Sequence, residues 1–261
     1  MIAEQMNWLQ GKTAAGVSQV LSRLGIHYKR GRQYVHSPDL AYWPKVALID
    51  QCRQRAQADP ARYVLLYLDE LTFYRQPTVA AAYEAAGHQQ PLAYRSYRSD
   101  TASRIVGALN AHTGQVHYRQ RSAINRATLT AFWYDLHHAY PTAETIYVVV
   151  DNWPVHFHPD VLAPLLPQHL PWPPTLPPNW PTHLSAHARQ DTLPIQLLCL
   201  PTYASWLNPI EKLWRWLYQD CLHLHRLADA WHDLKAQVNA FLDRFAQPSL
   251  PLLRYTGLLP N

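Results

Sequence analysis

The sequence predicts an α/β protein built on a mixed β-sheet, and three observations support this prediction. Runs rich in β-branched and aromatic residues, R-Y-V-L-L-Y-L-D at 62–69 and T-I-Y-V-V-V-D at 145–151, are typical of strands buried on both faces. Longer segments with apolar residues at helical spacing lie between and after such runs. Hydrophobic residues make up 48% of the 261 residues and charged residues 16%, which is the composition of a folded globular chain.

Residues 1–40 are predicted to form short helices with a basic exit, as in a partial helix-turn-helix. In T-A-A-G-V-S-Q-V-L-S-R-L-G-I, apolar residues recur at helical spacing, Thr13 can cap the helix and Gly25 can end it. The basic residues Lys29, Arg30 and Arg32 follow directly and would contact DNA phosphates. The competing interpretation is a plain amphipathic helix with a solvated charge run. Residues 41–60 are then expected to be a linker helix.

From residue 61 the pattern changes to strands, and residues 61–246 are expected to form one domain. L-T-F-Y-R-Q-P at 71–77 follows the first strand after almost no gap and suggests an antiparallel partner. R-I-V-G-A-L-N-A-H-T-G-Q-V-H-Y-R-Q-R at 104–121 predicts a hairpin around His112-Thr113-Gly114. Leu129 to Tyr140 is expected to be a helix ended by Pro141.

The remaining segments complete a five-stranded sheet flanked by helices. P-I-Q-L-L-C-L-P at 194–201 is another buried strand, and helices are expected from Pro209 to about His223 and from about Leu227 to Phe245. An antiparallel meander followed by α/β crossovers matches the ribonuclease-H-like architecture. Residues 247–261 are expected to be a C-terminal tail.

A proline-rich segment interrupts this domain between two core strands. From Pro164 to Pro181 there are eight prolines in eighteen positions, and proline lacks the donor that helices and central strands need. Residues 164–194 are therefore expected to be an extended insertion. A surface insertion is the simpler interpretation, since long insertions in surface loops cost little. A docking surface for a partner is the alternative.

Composition also bounds the cellular setting. The net charge of +5 and a pI near 9.1 permit a nucleic-acid partner without requiring one. The three cysteines are widely spaced and form no C-x-x-C pair, so neither a disulfide framework nor a zinc ribbon is supported. The first residues lack the pattern of a signal peptide, and the apolar runs are too short to cross a bilayer. A cytoplasmic location is therefore expected.

Acidic residues follow two of the buried strands. Asp69, with Glu70 beside it, closes the first strand, and Asp151 closes T-I-Y-V-V-V-D. Because catalytic groups in open α/β sheets collect at the carboxyl ends of strands, these side chains are expected to converge. Clustered carboxylates are usually stabilised by a divalent cation, and two such ions can hold the attacking and leaving oxygens of a phosphodiester. The alternative is that each aspartate makes only turn hydrogen bonds.

A third acid, Glu211, lies in L-P-T-Y-A-S-W-L-N-P-I-E-K-L-W-R-W-L at 200–217. Asn208 is a good N-cap, Pro209 suits the first helical position, and Glu211 falls where a capping box would place it. A capping glutamate needs no metal. The two roles are nevertheless compatible, since the first turn of a helix after a core strand faces the strand-end cleft.

Several other polar and aromatic residues are weaker candidates. Asn152 and His156, in D-N-W-P-V-H, could orient phosphate or water near the metals. Two short histidine pairs have an incomplete ligand set, so zinc is not favoured there: His156 with His158, and His223 with His225. Trp214 and Trp216 fit helix packing better than base stacking.

Three blocks together resemble one family. They are the strand ending in L-D-E at 68–70, the strand ending in D-N-W-P-V-H at 151–156, and the long block at 200–217. They are similar to the DDE transposases, most closely to the bacterial insertion-sequence branch of the mariner superfamily. The long block is the most specific of the three. G-V-S-Q-V-L-S-R-L-G-I-H-Y-K-R at 16–30 also resembles the end of that family's helix-turn-helix region, so the resemblance runs from about residue 10 to about residue 245.

The resemblance implies a metal-binding triad of Asp69, Asp151 and Glu211, with Glu70 as an accompanying acid. The implied cofactors are Mg²⁺ or Mn²⁺, as two ions. The implied reaction is cleavage of DNA at transposon ends by water, followed by attack of a DNA 3′-hydroxyl on target DNA. The implied partners are transposon terminal repeats, target DNA and a second copy of the chain.

The sequence departs from the family pattern in two ways, which leave alternative functions open. The N-terminal region is short, as expected of a truncated copy or of the second reading frame of a frameshifted element. Asp151 and Glu211 are 60 positions apart (211 minus 151), longer than the family's spacing, and the proline-rich insertion accounts for the excess. The alternative functions are a catalytically silent, truncated transposase that binds DNA, and another ribonuclease-H-like nuclease such as a junction resolvase.

Overall fold

The computed structural model describes residues 13–26, 36–87 and 89–259. The chain divides into one compact unit of residues 1–35 and another of residues 36–261. No helix in the described ranges is long and apolar enough to cross a membrane.

The first unit contains helix α1, Ala14–Arg23. Thr13 Oγ1 accepts a hydrogen bond from the Gly16 N–H at 3.2 Å, which caps the helix as predicted. Gly25 follows the helix with a φ of 73°, a left-handed conformation that glycine adopts without strain. The basic cluster Lys29, Arg30 and Arg32 lies outside the described residues.

The second unit is built on a five-stranded mixed sheet in the order β3-β2-β1-β4-β5. Its strands are β1 (Tyr63–Tyr74), β2 (Ala102–Asn110), β3 (Val116–Arg121), β4 (Thr145–Val150) and β5 (Ile195–Cys199). β2 pairs antiparallel with β1 and β3, whereas β4 pairs parallel with β1 and β5. This confirms the predicted mixed sheet, including the hairpin between β2 and β3.

Helices cover both faces of the sheet. They are α2 (Tyr42–Ala58), α3 (Arg126–Ala139), α4 (Pro159–Leu162), α5 (Ile210–Leu217), α6 (Trp231–Asp243) and α7 (Leu250–Thr256). The helix predicted from 209 to 223 ends its α-helical part early and continues as a π-helical turn, Tyr218–Leu222. α7 lies inside the segment expected to be a tail, where Leu252 and Leu253 are buried.

The two strands expected on either side of Asp69 and Glu70 are one strand, so the predicted strand break is wrong. β1 pairs with β2 without interruption from Leu66↔Asn110 to Tyr74↔Ala102. The adjacent acids resemble a turn in sequence, but pairing with β2 carries the backbone through them. The pairing of β1 with β4, in contrast, ends at Tyr67↔Val149. The second half of β1 therefore extends past the end of β4 and leaves an open edge.

Side-chain alternation along β1 separates two cores. Val64, Leu66 and Leu68 pack in the cluster that includes α3 residues. Leu71 and Phe73 pack on the opposite face with residues of α5 and α6. Because successive side chains in a strand point to opposite faces, Asp69 and Glu70 project to opposite sides of the sheet.

The proline-rich insertion covers the outer edge of β5. Gln168 Nε2 donates a hydrogen bond to the Ile195 carbonyl at 2.9 Å, and the Leu197 N–H donates to Gln168 Oε1 at 2.8 Å. The side-chain amide of Gln168 thus forms the hydrogen bonds with the β5 backbone that a neighbouring strand would otherwise form. Edge strands with open hydrogen-bonding groups favour aggregation, so this segment protects the sheet.

Candidate active site beyond the end of strand β4

Two aspartates lie at the same edge of the sheet. Asp69 and Asp151 each come two residues after the last β1–β4 pair, Tyr67↔Val149. Because the two strands are parallel, their carboxyl ends reach this edge together, as expected from the sequence. Asp69 is partly buried, whereas the Asp151 side chain is 51% exposed. The edge therefore presents one sheltered and one accessible carboxylate.

Asp69 lies under helix α5. Trp214 Nε1 donates a hydrogen bond to Asp69 Oδ2 at 2.9 Å. Burial raises the pKa of Asp69 to about 8, with further contributions from the carboxylates of Glu211 and Glu70. Negative charges crowded in a poorly solvated place disfavour ionisation, and a bound cation relieves this.

Glu211 lies in the first turn of α5. Burial raises its pKa, and the Asp151 carboxylate raises it further, while Arg215 opposes the shift. The charge of Glu211 therefore raises the pKa of Asp69, and the charge of Asp151 raises the pKa of Glu211. Repulsion from a neighbouring carboxylate thus disfavours ionisation of both Asp69 and Glu211.

The capping box predicted for Asn208 and Glu211 is wrong. α5 begins at Ile210, and its N-cap is Pro209, without a side-chain capping bond. The Asn208 N–H is already bonded to the Ser205 carbonyl at 2.8 Å. The Asn208 side chain instead donates from Nδ2 to the Leu68 carbonyl at 2.9 Å. It ties the start of α5 to β1 beside Asp69.

The buried side chain of His156 lies between Glu70 and Asp151 and contacts both. His156 is 1% exposed, and its Nε2 forms a 3.0 Å hydrogen bond with Glu70 Oε1. Its Nδ1 lies 3.2 Å from Asp151 Oδ1. Burial disfavours the charged ring, but the two carboxylates outweigh it and raise the pKa of His156 to about 10. Conversely, the contact with His156 and the hydrogen bond from the Trp153 N–H outweigh burial and lower the pKa of Asp151.

These contacts define the one group of three potential metal ligands found among the described residues. One atom each from Glu70, Asp151 and His156 lies within 4.8 Å of the others. The predicted triad of Asp69, Asp151 and Glu211 does not meet this distance among the described residues. His156 is buried between Glu70 and Asp151 and contacts both. We therefore interpret Glu70 and His156 as a support for Asp151.

The remaining sequence candidates have local structural roles. Asn152 Nδ2 donates to the Leu200 carbonyl at 3.1 Å, so its amide nitrogen holds the loop after β5. His158 Nδ1 and His225 Nδ1 accept hydrogen bonds from backbone N–H groups, and His223 Nδ1 pairs with Thr78 Oγ1. Trp214 and Trp216 pack in the core beside α6, as predicted.

Sequence reasoning missed the contact of Trp214 with the site. Asp69 is paired with Gly107 on β2, and a Cβ at Gly107 would lie 2.7 Å from Trp214 Cη2. The missing side chain makes room for the indole, which then reaches Asp69. A glycine inside a strand pattern often marks such a close approach, so Gly107 was the available signal.

The mixed sheet and the carboxylates at its edge define an α/β domain with the oxygen donors that divalent cations prefer. The sequence profile of the DDE superfamily endonucleases matches residues 64–235, and the chain belongs to this family. That range contains Asp69, Asp151 and Glu211.

One curated relative and several solved structures resemble the chain. The 39 kDa protein of insertion element IS630 from Shigella sonnei is 21% identical over 245 residues; the match covers 93% of this chain but only 63% of the relative. The Mos1 transposase paired-end complex with the left transposon end matches with a TM-score of 0.62 and 16% identity, over 100% of this chain and 71% of that one. The Mos1 mariner paired-end complex with Mn matches with a TM-score of 0.59 and 17% identity, over 100% and 70%. These likenesses confirm the ribonuclease-H-like fold.

Proposed function

We propose that this protein is a DNA transposase that cuts DNA at transposon ends and joins those ends to target DNA. The observation that carries the proposal is the meeting of Asp69 and Asp151 at the carboxyl ends of β1 and β4, beside helix α5, which carries Glu211 and contacts Asp69 through Trp214. Membership of the DDE superfamily endonucleases and the similarity to an insertion-element protein support it.

In this proposal Asp69, Asp151 and Glu211 hold Mg²⁺ or Mn²⁺, as two ions. The donor set fits, because hard divalent cations prefer carboxylate oxygens and the crowded acids are short of positive charge. When bound, the ions polarise the scissile phosphate and lower the pKa of the attacking water. The Mos1 relatives were solved with Mn and with Mg, which supports the choice of metals.

The surrounding residues position the three acids. His156 holds Asp151, and Glu70 holds His156 from the other side. Asn208 anchors the start of α5, which carries Glu211, to the carbonyl before Asp69. Such outer contacts orient metal ligands and reduce the freedom that binding must remove.

DNA is the proposed partner, as transposon ends and as target. The net charge of +5 and the basic residues Lys29, Arg30 and Arg32 favour binding to phosphates. One Mos1 structure is a paired-end complex with the left transposon end and another is a strand transfer complex, which supports the same substrate class. A homodimer on DNA and a cytoplasmic location are further parts of the proposal.

The deciding experiment is metal-dependent nicking of supercoiled plasmid DNA. Wild type should nick with Mg²⁺ or Mn²⁺ and not with EDTA, whereas Glu211→Gln should abolish nicking and leave the melting curve nearly unchanged. Asp69→Asn and Asp151→Asn should abolish it equally, because the three act as one site. Glu84→Gln, an exposed acid outside the site, is the matched control and should nick normally.

The outcomes separate the competing functions. If Glu211→Gln nicks as fast as wild type, Glu211 is not a ligand and the proposed mechanism fails. If wild type binds DNA but never nicks it with either metal, the chain is a catalytically silent DNA-binding protein.

A further inference from the structure

The loop after β5 presents an exposed aromatic ring in an unusual backbone conformation. Tyr203 has a φ of 54°, in the left-handed region that residues with bulky side chains avoid. Its side chain does not offset this strain by packing, since Tyr203 is 75% exposed. Within the described ranges its ring makes no aromatic contact and its hydroxyl no hydrogen bond.

Contacts on both sides of Tyr203 hold the loop in place. The Thr202 N–H donates to Asp39 Oδ2 at 2.9 Å, and Ser37 Oγ donates to the Thr202 carbonyl at 2.5 Å. Asp39 in turn forms a 2.8 Å ion pair with Lys45, and both side chains are less than 10% exposed, at 9% and 7%. On the other side Ala204 is 2% exposed. Strained residues persist where their surroundings over-determine them, and they cluster at binding sites.

Tyr203 lines a groove that runs up to the candidate active site. The groove has a volume of about 530 Å³, and its walls include Asp151, Trp153, Thr175 and Tyr203. Asp151 is the only acidic residue of the described lining, so the rest of the wall does not repel a polyanion. A molecule bound at Asp151 can therefore continue into the groove.

We propose that the Tyr203 ring stacks against an unpaired base of the DNA strand whose phosphate is held at Asp151. This inference rests on the proposed function. A base is the occupant that fits, because it is a flat ring joined to the phosphate that the acids and their metals would hold. Stacking on an aromatic side chain does not depend on base identity, since every base has a π-face. The site would therefore hold the strand without reading its sequence.

The test uses the full chain and a short single-stranded oligonucleotide that carries one 2-aminopurine, whose fluorescence falls when it stacks. Ca²⁺ replaces Mg²⁺ to retain metal without turnover, and gel analysis confirms that the oligonucleotide stays intact. Wild type and Tyr203→Phe should quench the probe and bind it equally. Tyr203→Asn should lose the quenching and bind about five- to tenfold more weakly.

Matched variants separate the ring from the backbone. Asparagine and glycine both tolerate the left-handed conformation, so Tyr203→Asn and Tyr203→Gly remove the ring without adding strain. If one of them melts early, the other decides the result. Tyr83→Asn removes another exposed tyrosine, outside the groove, and should bind like wild type.

Each result supports or overturns the proposal. If wild type binds DNA and nicks plasmid but Tyr203→Asn and Tyr203→Gly quench and bind as well as wild type, stacking is refuted while the proposed function stands. If Tyr203→Phe loses as much affinity as Tyr203→Asn, the hydroxyl and not the ring face is the determinant, and the proposal fails. If wild type neither binds nor nicks DNA, both proposals fall.

Discussion

Asp69 and Glu70 are adjacent acids on one strand, yet they have different surroundings. Asp69 faces α5, where it accepts a hydrogen bond from Trp214 and senses the charge of Glu211. Glu70 faces the other side and pairs with His156. The alternation of a β-strand therefore assigns one acid to the proposed metal site and the other to its support.

The pKa of Asp69 predicts how the stability of the metal-free protein depends on pH. Because its folded-state pKa of about 8 lies above the ordinary 3.8, the folded protein keeps a proton that the unfolded chain releases. This group's contribution to the free energy of unfolding is therefore full below pH 3.8 and is lost as the pH rises to about 8. Asp69→Asn cannot ionise, so it should raise the Tm near the upper end of that range by roughly 2–4 °C per kcal/mol recovered.

Melting curves in EDTA and in Mg²⁺ measure this effect. Asparagine keeps an oxygen that can accept from Trp214, so the local hydrogen bond is retained. Mg²⁺ should raise the Tm of wild type and not that of Asp69→Asn. An equal rise in both proteins would show that Asp69 does not hold the metal.

His156 is predicted to act through Asp151. His156→Leu removes the contacts with Asp151 and Glu70 and should weaken Mn²⁺ binding about 10- to 100-fold, the usual cost of losing an outer-shell partner of a metal ligand. Titration of Mn²⁺ by electron paramagnetic resonance gives the affinity directly, without relying on activity. His232→Leu, at a histidine whose side chain is 91% exposed, is the control. Unchanged Mn²⁺ affinity in His156→Leu would refute the positioning role.

At the scale of elements, α5 approaches the sheet closely because β2 has a glycine opposite Asp69. Gly107→Ala should push Trp214 away and destabilise the protein by about 1–3 kcal/mol, the range for overpacking. Adding Trp214→Phe, which shortens the ring, should recover part of that loss. Denaturant unfolding of the two single variants and the double variant measures the coupling. Strictly additive effects would show that the two residues do not compete for the same space.

At the scale of the whole molecule, the predicted DNA contacts include residues 29–32. DNA binding should weaken steeply with salt, because phosphate contacts release counterions. Replacing Lys29, Arg30 and Arg32 together by alanine should reduce the slope of log K against log salt by about 2 to 3. Fluorescence anisotropy at several salt concentrations measures the slope. An unchanged slope would place the phosphate contacts elsewhere on the chain.

Much of the fold could be predicted from the sequence, because it follows from local patterns. Buried strands are recognisable as short β-branched and aromatic runs, and their order matches a mixed sheet. The break predicted after Asp69 was wrong because adjacent acids resemble a turn, whereas pairing with β2 carries the strand through them. The predicted capping box was wrong because the Asn208 side chain donates to the Leu68 carbonyl, which is far away along the chain.

The sequence by itself determined the mixed α/β sheet and the family resemblance, since both depend on residues close together along the chain. The metal-binding role of the three acids stays a prediction. Tertiary structure decided what each acid contacts. Trp214 reaches Asp69 across 145 positions, Asn208 reaches Leu68 across 140, and His156 reaches Glu70 across 86. Such partners depend on how the sheet and helices pack in space, and spacings this long leave no periodic signal in a sequence.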